Sequence, residues 1–228
     1  MNKICLSLFV FVAWAWCGAI ARADDDSAIL KKATDASEAA PAQRMTMTVT
    51  DRDSGKEIET TTMERVRPDK VHFVTKQNGE VVSEIFSDGK RTLRREGPNE
   101  SWKTLPVSIG SMLTEKHQGL SEEYFREQHG HLKFSGDDRV GGIAAKVYDV
   151  TEDNGPAKVW LAADDSRILK MERDYEGPGA RPRVPHGGNG QVDIKALHDQ
   201  LKAMTAKRQL HSVTTFEYDP SIQINMPN

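Results

Sequence analysis

The residues best suited to acid–base or metal chemistry are seven histidines, and their spacing argues against both roles. His129-Gly130-His131 is the only close pair, and no carboxylate stands beside it at a ligand-like spacing. His117 and His198 fall on expected helices without a partner at i+4. Zinc sites normally need three or four converging ligands, so surface histidines and no metal are expected. The chain has no G-x-S-x-G, H-E-x-x-H, P-loop or G-x-G-x-x-G motif. Gly187-Gly188-Asn189-Gly190 is glycine-rich but lacks a strand-turn-helix cradle for phosphate. Asp137-Asp138 and Asp164-Asp165 occupy expected turns, where Asp is favoured for its local backbone hydrogen bonds. Asn99-Glu100-Ser101 matches a glycosylation sequon, also at a turn. Arg91, Arg94 and Arg95 cluster on one expected hairpin; they read as solvated surface, with an anion or an acidic partner as the alternative. No nucleophile, base and orienting group can be named together. The expectation is no catalytic residue, no cofactor and no enzymatic activity.

What rises above background is apolar. Met45, Met47, Val49, Phe73, Ile85, Leu93, Trp102, Val147, Val159, Leu161, Leu169 and Met171 are expected to line one concave face. Met112 and Leu113, at helical spacing from Ile109, are counted with the same apolar site; their segment is expected to be either a lid or plug over it or a plain crossover connection. Methionine adapts to irregular apolar partners. Such a set makes either a filled sheet core or a lipid-sized cavity.

These side chains must be positioned by antiparallel strands. Thr60 to Arg67, Val71 to Thr75, Glu80 to Phe86, Arg91 to Arg94 and Ser101 to Leu105 form a run separated by Pro68-Asp69, Asn78-Gly79, Asp88-Gly89 and Gly97-Pro98-Asn99. Asn-Gly and Asp-Gly supply the positive φ angles of tight hairpins. Before this run, Gln43 to Asp51 alternates, with Met45, Met47 and Val49 on one side. After it, strands are expected at 131–134, 143–150, 157–162, 168–175 and 209–218, with a turn bracketed by Gly136-Asp137-Asp138 and Gly141-Gly142 and a loop at Asp153-Asn154-Gly155-Pro156. Asp24 to Ala40 reads as a helix with Ser27 as N-cap, resting on the sheet edge. Short helical stretches are expected near 109–113 and 121–125, and another from Asp193 to about Ala206.

The first 23 residues have the pattern of a secretory signal peptide. Lys3 precedes an apolar stretch, Ile4 to Ala15, and Ala21-Arg22-Ala23 is a cleavage site. The alternative is a lipoprotein signal with Cys17 acylated. Both cysteines, Cys5 and Cys17, lie in this segment, so the mature chain is expected to hold no disulfide. Without Lys3 and Arg22 the 31 basic residues become 29, against 34 acidic ones, a net charge of −5. That argues against nucleic acid or anionic lipid head groups as the main partner. A periplasmic monomer is expected, with residues 24–228 as one domain and a Gly/Pro-rich loop plus helix inserted at about 177–206.

Several short motifs together carry a family resemblance. They are Asp51-Arg52-Asp53-Ser54-Gly55-Lys56 after a strand, Arg67-Pro68-Asp69-Lys70-Val71, Ser87-Asp88-Gly89-Lys90, and Trp102 after Gly97-Pro98. Later come Phe134-Ser135-Gly136 with Val140-Gly141-Gly142, Lys158-Val159-Trp160-Leu161, and Tyr218-Asp219-Pro220 with Ile222 and Pro227. Through these the chain resembles the periplasmic lipoprotein-carrier superfamily, the outer-membrane lipoprotein-sorting proteins similar to LolA and LolB, with which regulators similar to RseB share a fold. The resemblance implies a mainly β (α+β) fold, a curved antiparallel unclosed half-barrel of about eleven strands with helices over its concave face. It implies a carrier of lipid or lipoprotein acyl chains without catalysis, or else a regulatory module of the same fold that senses envelope state through a protein partner. It also implies a lid-contacting arginine, for which Arg65 and Arg67 are the candidates. The 177–206 insertion departs from the family pattern.

Overall fold

The computed structural model describes residues 26–105, 130–152, 155–178 and 207–227. The described residues form one helix, α1 (26–38), and eleven strands. The strands are β1 (Ala42–Asp51), β2 (Glu57–Val66), β3 (Lys70–Gln77), β4 (Glu80–Asp88), β5 (Thr92–Arg95), β6 (Lys103–Leu105), β7 (His131–Val140), β8 (Ile143–Glu152), β9 (Gly155–Ala162), β10 (Ile168–Pro178) and β11 (Lys207–Glu217). All belong to one open antiparallel sheet in the order β6-β5-β4-β3-β2-β1-β11-β10-β9-β8-β7. Two meanders thus meet where the first strand pairs with the last, and β6 and β7 are the free edges. This is the expected unclosed half-barrel.

The turns are set by local chemistry. Asn78 and Gly79 both have positive φ, 49° and 83°, as a two-residue hairpin of this twist requires. Gly89, at φ 79°, lies so close to Asp69 that any side chain there would collide with it. Two expected breaks are corrected. Gly136-Asp137-Asp138 lies inside β7, where a register shift between Phe134 and Gly136 absorbs the glycine; the chain turns only at Gly141-Gly142. Gly155 and Pro156, expected in a loop, already belong to β9.

The core lies on the sheet face that carries α1, here called the inner face. Leu30 and Ala33 of α1 pack with Met45, Met63, Val71, Leu132, Val150, Ala157, Val159, Leu161, Ile168 and Phe216. Asp26, Leu30, Ala33 and Ser37 are all buried and fall at i, i+4, i+7 and i+11, one stripe of a helix. The two polar members of that stripe anchor it. The Leu132 N–H donates to Asp26 Oδ2 at 3.0 Å. The Ile168 N–H donates to Ser37 Oγ at 3.0 Å, and Ser37 Oγ donates to Ala33 O at 2.8 Å. Thus α1 lies across the inner face, not on the sheet edge as expected. Ser27 is not its cap, because residue 26 is already helical.

A smaller cluster lies on the outer face: Ala145, Val147, Trp160, Ala162 and Leu169. The Trp160 indole N–H donates to Asp138 Oδ2 at 2.9 Å, and the Lys170 ammonium sits 4.5 Å from the ring centre. Tyr218 touches both clusters. Its hydroxyl donates to Ile168 O at 2.8 Å, and burial pushes its pKa up to about 12.

Ser37→Ala leaves the buried Ile168 N–H without an acceptor, at a cost of about 1–3 kcal/mol. Urea denaturation should show that loss, while the exposed Lys32→Ala in the same helix changes stability by no more than about 0.5 kcal/mol.

Candidate functional site

Pairing register defines the inner face residue by residue, because directly opposed residues share a face. One row of directly opposed residues crosses seven strands: Lys103, Arg94, Ile85, Phe73, Met63, Met45 and Phe216. The next row reads Ser83, Thr75, Thr61, Met47, Thr214, Met171, Val159, Tyr148 and Phe134.

Burial divides this face in two. Under α1 it is a filled core, with Leu132, Val150, Val159, Leu161 and Ile168 at 5% exposure or less. Away from α1 it is partly open: Phe73, Ile85, Ser83 and Arg94 are only half-buried, and Lys103 is exposed. Met47, half-buried, adjoins this open part.

Among the residues expected on a concave face, Met45, Met47, Val49, Phe73, Ile85, Val159, Leu161 and Met171 do share the inner face. Four others are corrected to the outer face. Ser87 pairs with Thr92, which sets Leu93 opposite outward-facing Phe86. Trp102 follows it, packing edge-on against Phe86. Val147 pairs with Trp160, not with an inner residue. A register shift between Ile168 and Lys170 lets both Leu169 and Lys170 point outward. A one-residue offset moves a side chain to the other face, and none of these offsets is visible in local alternation. Met112 and Leu113 lie outside the described residues, as do His117, His129 and His198.

The two candidate arginines separate. Arg67 is exposed beyond the end of β2, while Arg65 is 3% exposed on the inner face. One Arg65 terminal nitrogen donates to Gln43 Oε1 at 3.0 Å and to Ser37 O, in the last turn of α1, at 3.5 Å. A cation there complements the helix C-terminus. Burial first, then the nearby Arg67 charge, pulls the Arg65 pKa below its ordinary value. Its Nε and Gln43 Nε2 are buried without acceptors among the described residues. Further along the inner face, buried Glu59 accepts from Thr61 at 3.4 Å and from Gln77 at 3.2 Å. Burial, then Glu59, raises the Tyr175 pKa above its usual value.

Missed in the sequence is a chain of charges across the outer face. Arg44 bridges Glu217 and Glu64, each at 2.8 Å. His72 Nδ1 lies 3.2 Å from Glu64, and its Nε2 3.0 Å from Glu84. Arg95 Nε donates to the other Glu84 oxygen at 2.7 Å. Only a doubly protonated imidazole donates to both carboxylates. His72 also stacks on Phe86 at 4.0 Å, and Arg95 lies 4.6 Å over Trp102. The signal was present: counting back from the Pro68-Asp69 turn sets Glu64 against His72. Among the described residues no group of three or more His, Cys, Asp or Glu could hold a metal. None of their helices is long and apolar enough to cross a membrane.

No protein-family model matches this sequence, and no curated protein does either. Solved structures do match. The lipoprotein LppX of Mycobacterium tuberculosis superimposes with a TM-score of 0.52 at 14% identity, covering 89% of this chain and 99% of that one. LprF from Mycobacterium bovis gives 0.51 at 14% identity, over 90% and 97%. A LolA superfamily protein from Nitrosomonas europaea matches at 0.27 and 11% identity, over 84% and 91%, an overlay too loose to carry an argument. At such identities the likeness is one of fold: the chain shares the fold of LppX and LprF, and its own strands form an unclosed antiparallel half-barrel.

Burial alone would raise the Glu64 pKa, but hydrogen bonds from Arg44 and His72 outweigh it and hold it below the usual 4.5. A lowered carboxylate stabilises the fold above its unfolded pKa, and that stability is lost as pH falls through the folded value. The stability gap between the wild type and Glu64→Gln should therefore be full at pH 7 and shrink below about pH 4.5. Urea midpoints measured from pH 7 to 3 check this; a gap unchanged at pH 3 contradicts it.

Proposed function

We propose that the protein is an exported, non-catalytic carrier that holds lipid or lipoprotein acyl chains on the β3–β5 part of its inner face. One observation carries this reading. The first inner row is apolar from Ile85 through Phe73, Met63 and Met45 to Phe216, yet α1 covers only part of it, leaving Phe73 and Ile85 half-buried beside a closed core. Apolar surface in a partly open concavity is stabilised when an apolar guest removes it from water, at about 25 cal/mol per Å². The half-barrel fold supports the reading, and one of the structures sharing it is itself named a lipoprotein. In this account residues 1–23 are the cleaved export signal, and the mature domain of residues 24–228 works in the periplasm. Acylation at Cys17 is the alternative to cleavage after Ala23.

A second reading, a regulatory or interaction module that senses envelope state through a protein partner, is favoured by the β7 edge. There Phe134 is 53% exposed. A free strand edge is a ready template for pairing with another chain.

Native mass spectrometry of the protein purified from the periplasm separates the two. The carrier reading expects a co-purifying lipid mass that is lost in Phe73→Asp and Ile85→Asp but kept in Thr46→Asp on the outer face. Leu161, at 4% exposure, is unsuited to this test because a charge there would unfold the core. A bare polypeptide mass that also fails to take up added phospholipid overturns the carrier reading in favour of the second.

A further inference from the structure

Two of the chain's cations end the row of inner-facing apolar side chains. Arg94 stands directly opposite Ile85, and Lys103 directly opposite Arg94. Read from the sheet edge inward, the row is Lys103, Arg94, Ile85, Phe73, Met63, Met45 and Phe216: two positive charges, then five apolar residues. Burial follows the same order. Lys103 is exposed, Arg94, Ile85 and Phe73 are half-buried, and Met63, Met45 and Phe216 are closed beneath α1. An amphiphile reaching the site from the β6 edge would meet charge first and apolar surface next.

The three arginines of this hairpin are not equivalent. Arg91 faces Asp88 at 3.6 Å, and Arg95 is held by Glu84 on the outer face. Arg94 alone turns inward. Its terminal nitrogen contacts Glu96 at 3.0 Å, a carboxylate 65% exposed and so screened by solvent. Its Nε is buried and has no acceptor among the described residues. A guanidinium with an unmet buried donor, beside a lysine and at the mouth of an apolar strip, is suited to a phosphate or carboxylate oxygen.

We infer that Arg94 and Lys103 bind the head group of an anionic phospholipid whose acyl chain lies over Ile85 and Phe73. This rests on the carrier reading and adds selectivity for head-group charge. From Arg94 to Phe73 the row spans two strand spacings, about 10 Å. That is shorter than the ~15 Å half-thickness of a bilayer's hydrocarbon core, so α1 need not move for the first part of a chain to be covered.

The test is isothermal titration of the purified protein with oleoyl lysophosphatidylglycerol and oleoyl lysophosphatidylcholine, below their micellar concentrations. The two share an acyl chain and differ in head-group charge. The wild type should prefer the anionic lipid by about tenfold, the scale of one charge-assisted hydrogen bond, and the preference should weaken with added salt. Arg94→Gln with Lys103→Gln should bind both lipids alike. Arg94→Lys should keep most of the preference, and Arg91→Gln, which removes an equal charge elsewhere on the hairpin, should keep all of it. Equal wild-type affinities, or a preference surviving the double substitution, overturn the inference and leave the carrier reading standing. Binding of neither lipid overturns the carrier reading and this inference with it.

Discussion

The Ser37 hydroxyl donates to Ala33 O within its own helix and accepts the Ile168 N–H from β10. It does so where the pairing of β10 with β9 slips between Ile168 and Lys170. Instead of remaining an uncompensated buried donor, which costs about 1–3 kcal/mol, the Ile168 N–H fixes where the helix ends. Arg65 adds a donor to the Ser37 carbonyl from the opposite meander, and Asp26 ties the start of the helix to β7. Three polar contacts, from β2, β7 and β10, thus fix one short helix across the seam of two meanders. An antiparallel sheet with one apolar face needs such a cover.

The position of that helix makes the two parts of the inner face differ. Leu30 and Ala33 meet Leu161, Ile168, Phe216, Met45 and Met63, and the packing there is closed. Toward β3 and β4 the same apolar row continues past the reach of the helix, and its side chains are only half-buried. Among the described residues, a core and a partly open apolar strip arise from one continuous pattern, divided where the covering helix stops.

The outer face follows the opposite logic. Strict alternation sends Arg44, Glu64, His72, Glu84 and Arg95 to one side of five successive strands, where each meets a neighbour of complementary character. Opposed side chains of this kind are the natural unit of sheet stabilisation. Because these charges satisfy one another, the outer face of β1–β5 needs no further partner to compensate them. Arg94, one residue from Arg95, faces the other way and is the inward cation of its strand.

The sequence by itself determined the strand inventory, the hairpin at Asn78-Gly79, the alternation of β1 and β3, and the absence of familiar catalytic motifs. Each is a local property, set by turn dihedrals or by the two-residue period of a strand. The half-barrel was legible through the family resemblance that short turn-forming motifs carry. Only the tertiary structure decided that Leu93, Trp102, Val147 and Leu169 face outward, because a register shift or a turn of unexpected length reverses every residue after it without altering the local pattern. It also decided the place of α1. Amphipathicity showed that the helix must bury a stripe, but its seat depends on Ser37, Asp26 and Arg65 meeting partners 131, 106 and 28 residues away in the chain. Contacts at such separations leave no periodic trace in a single sequence, so the division of the inner face into core and open strip could be seen only once the chain had folded.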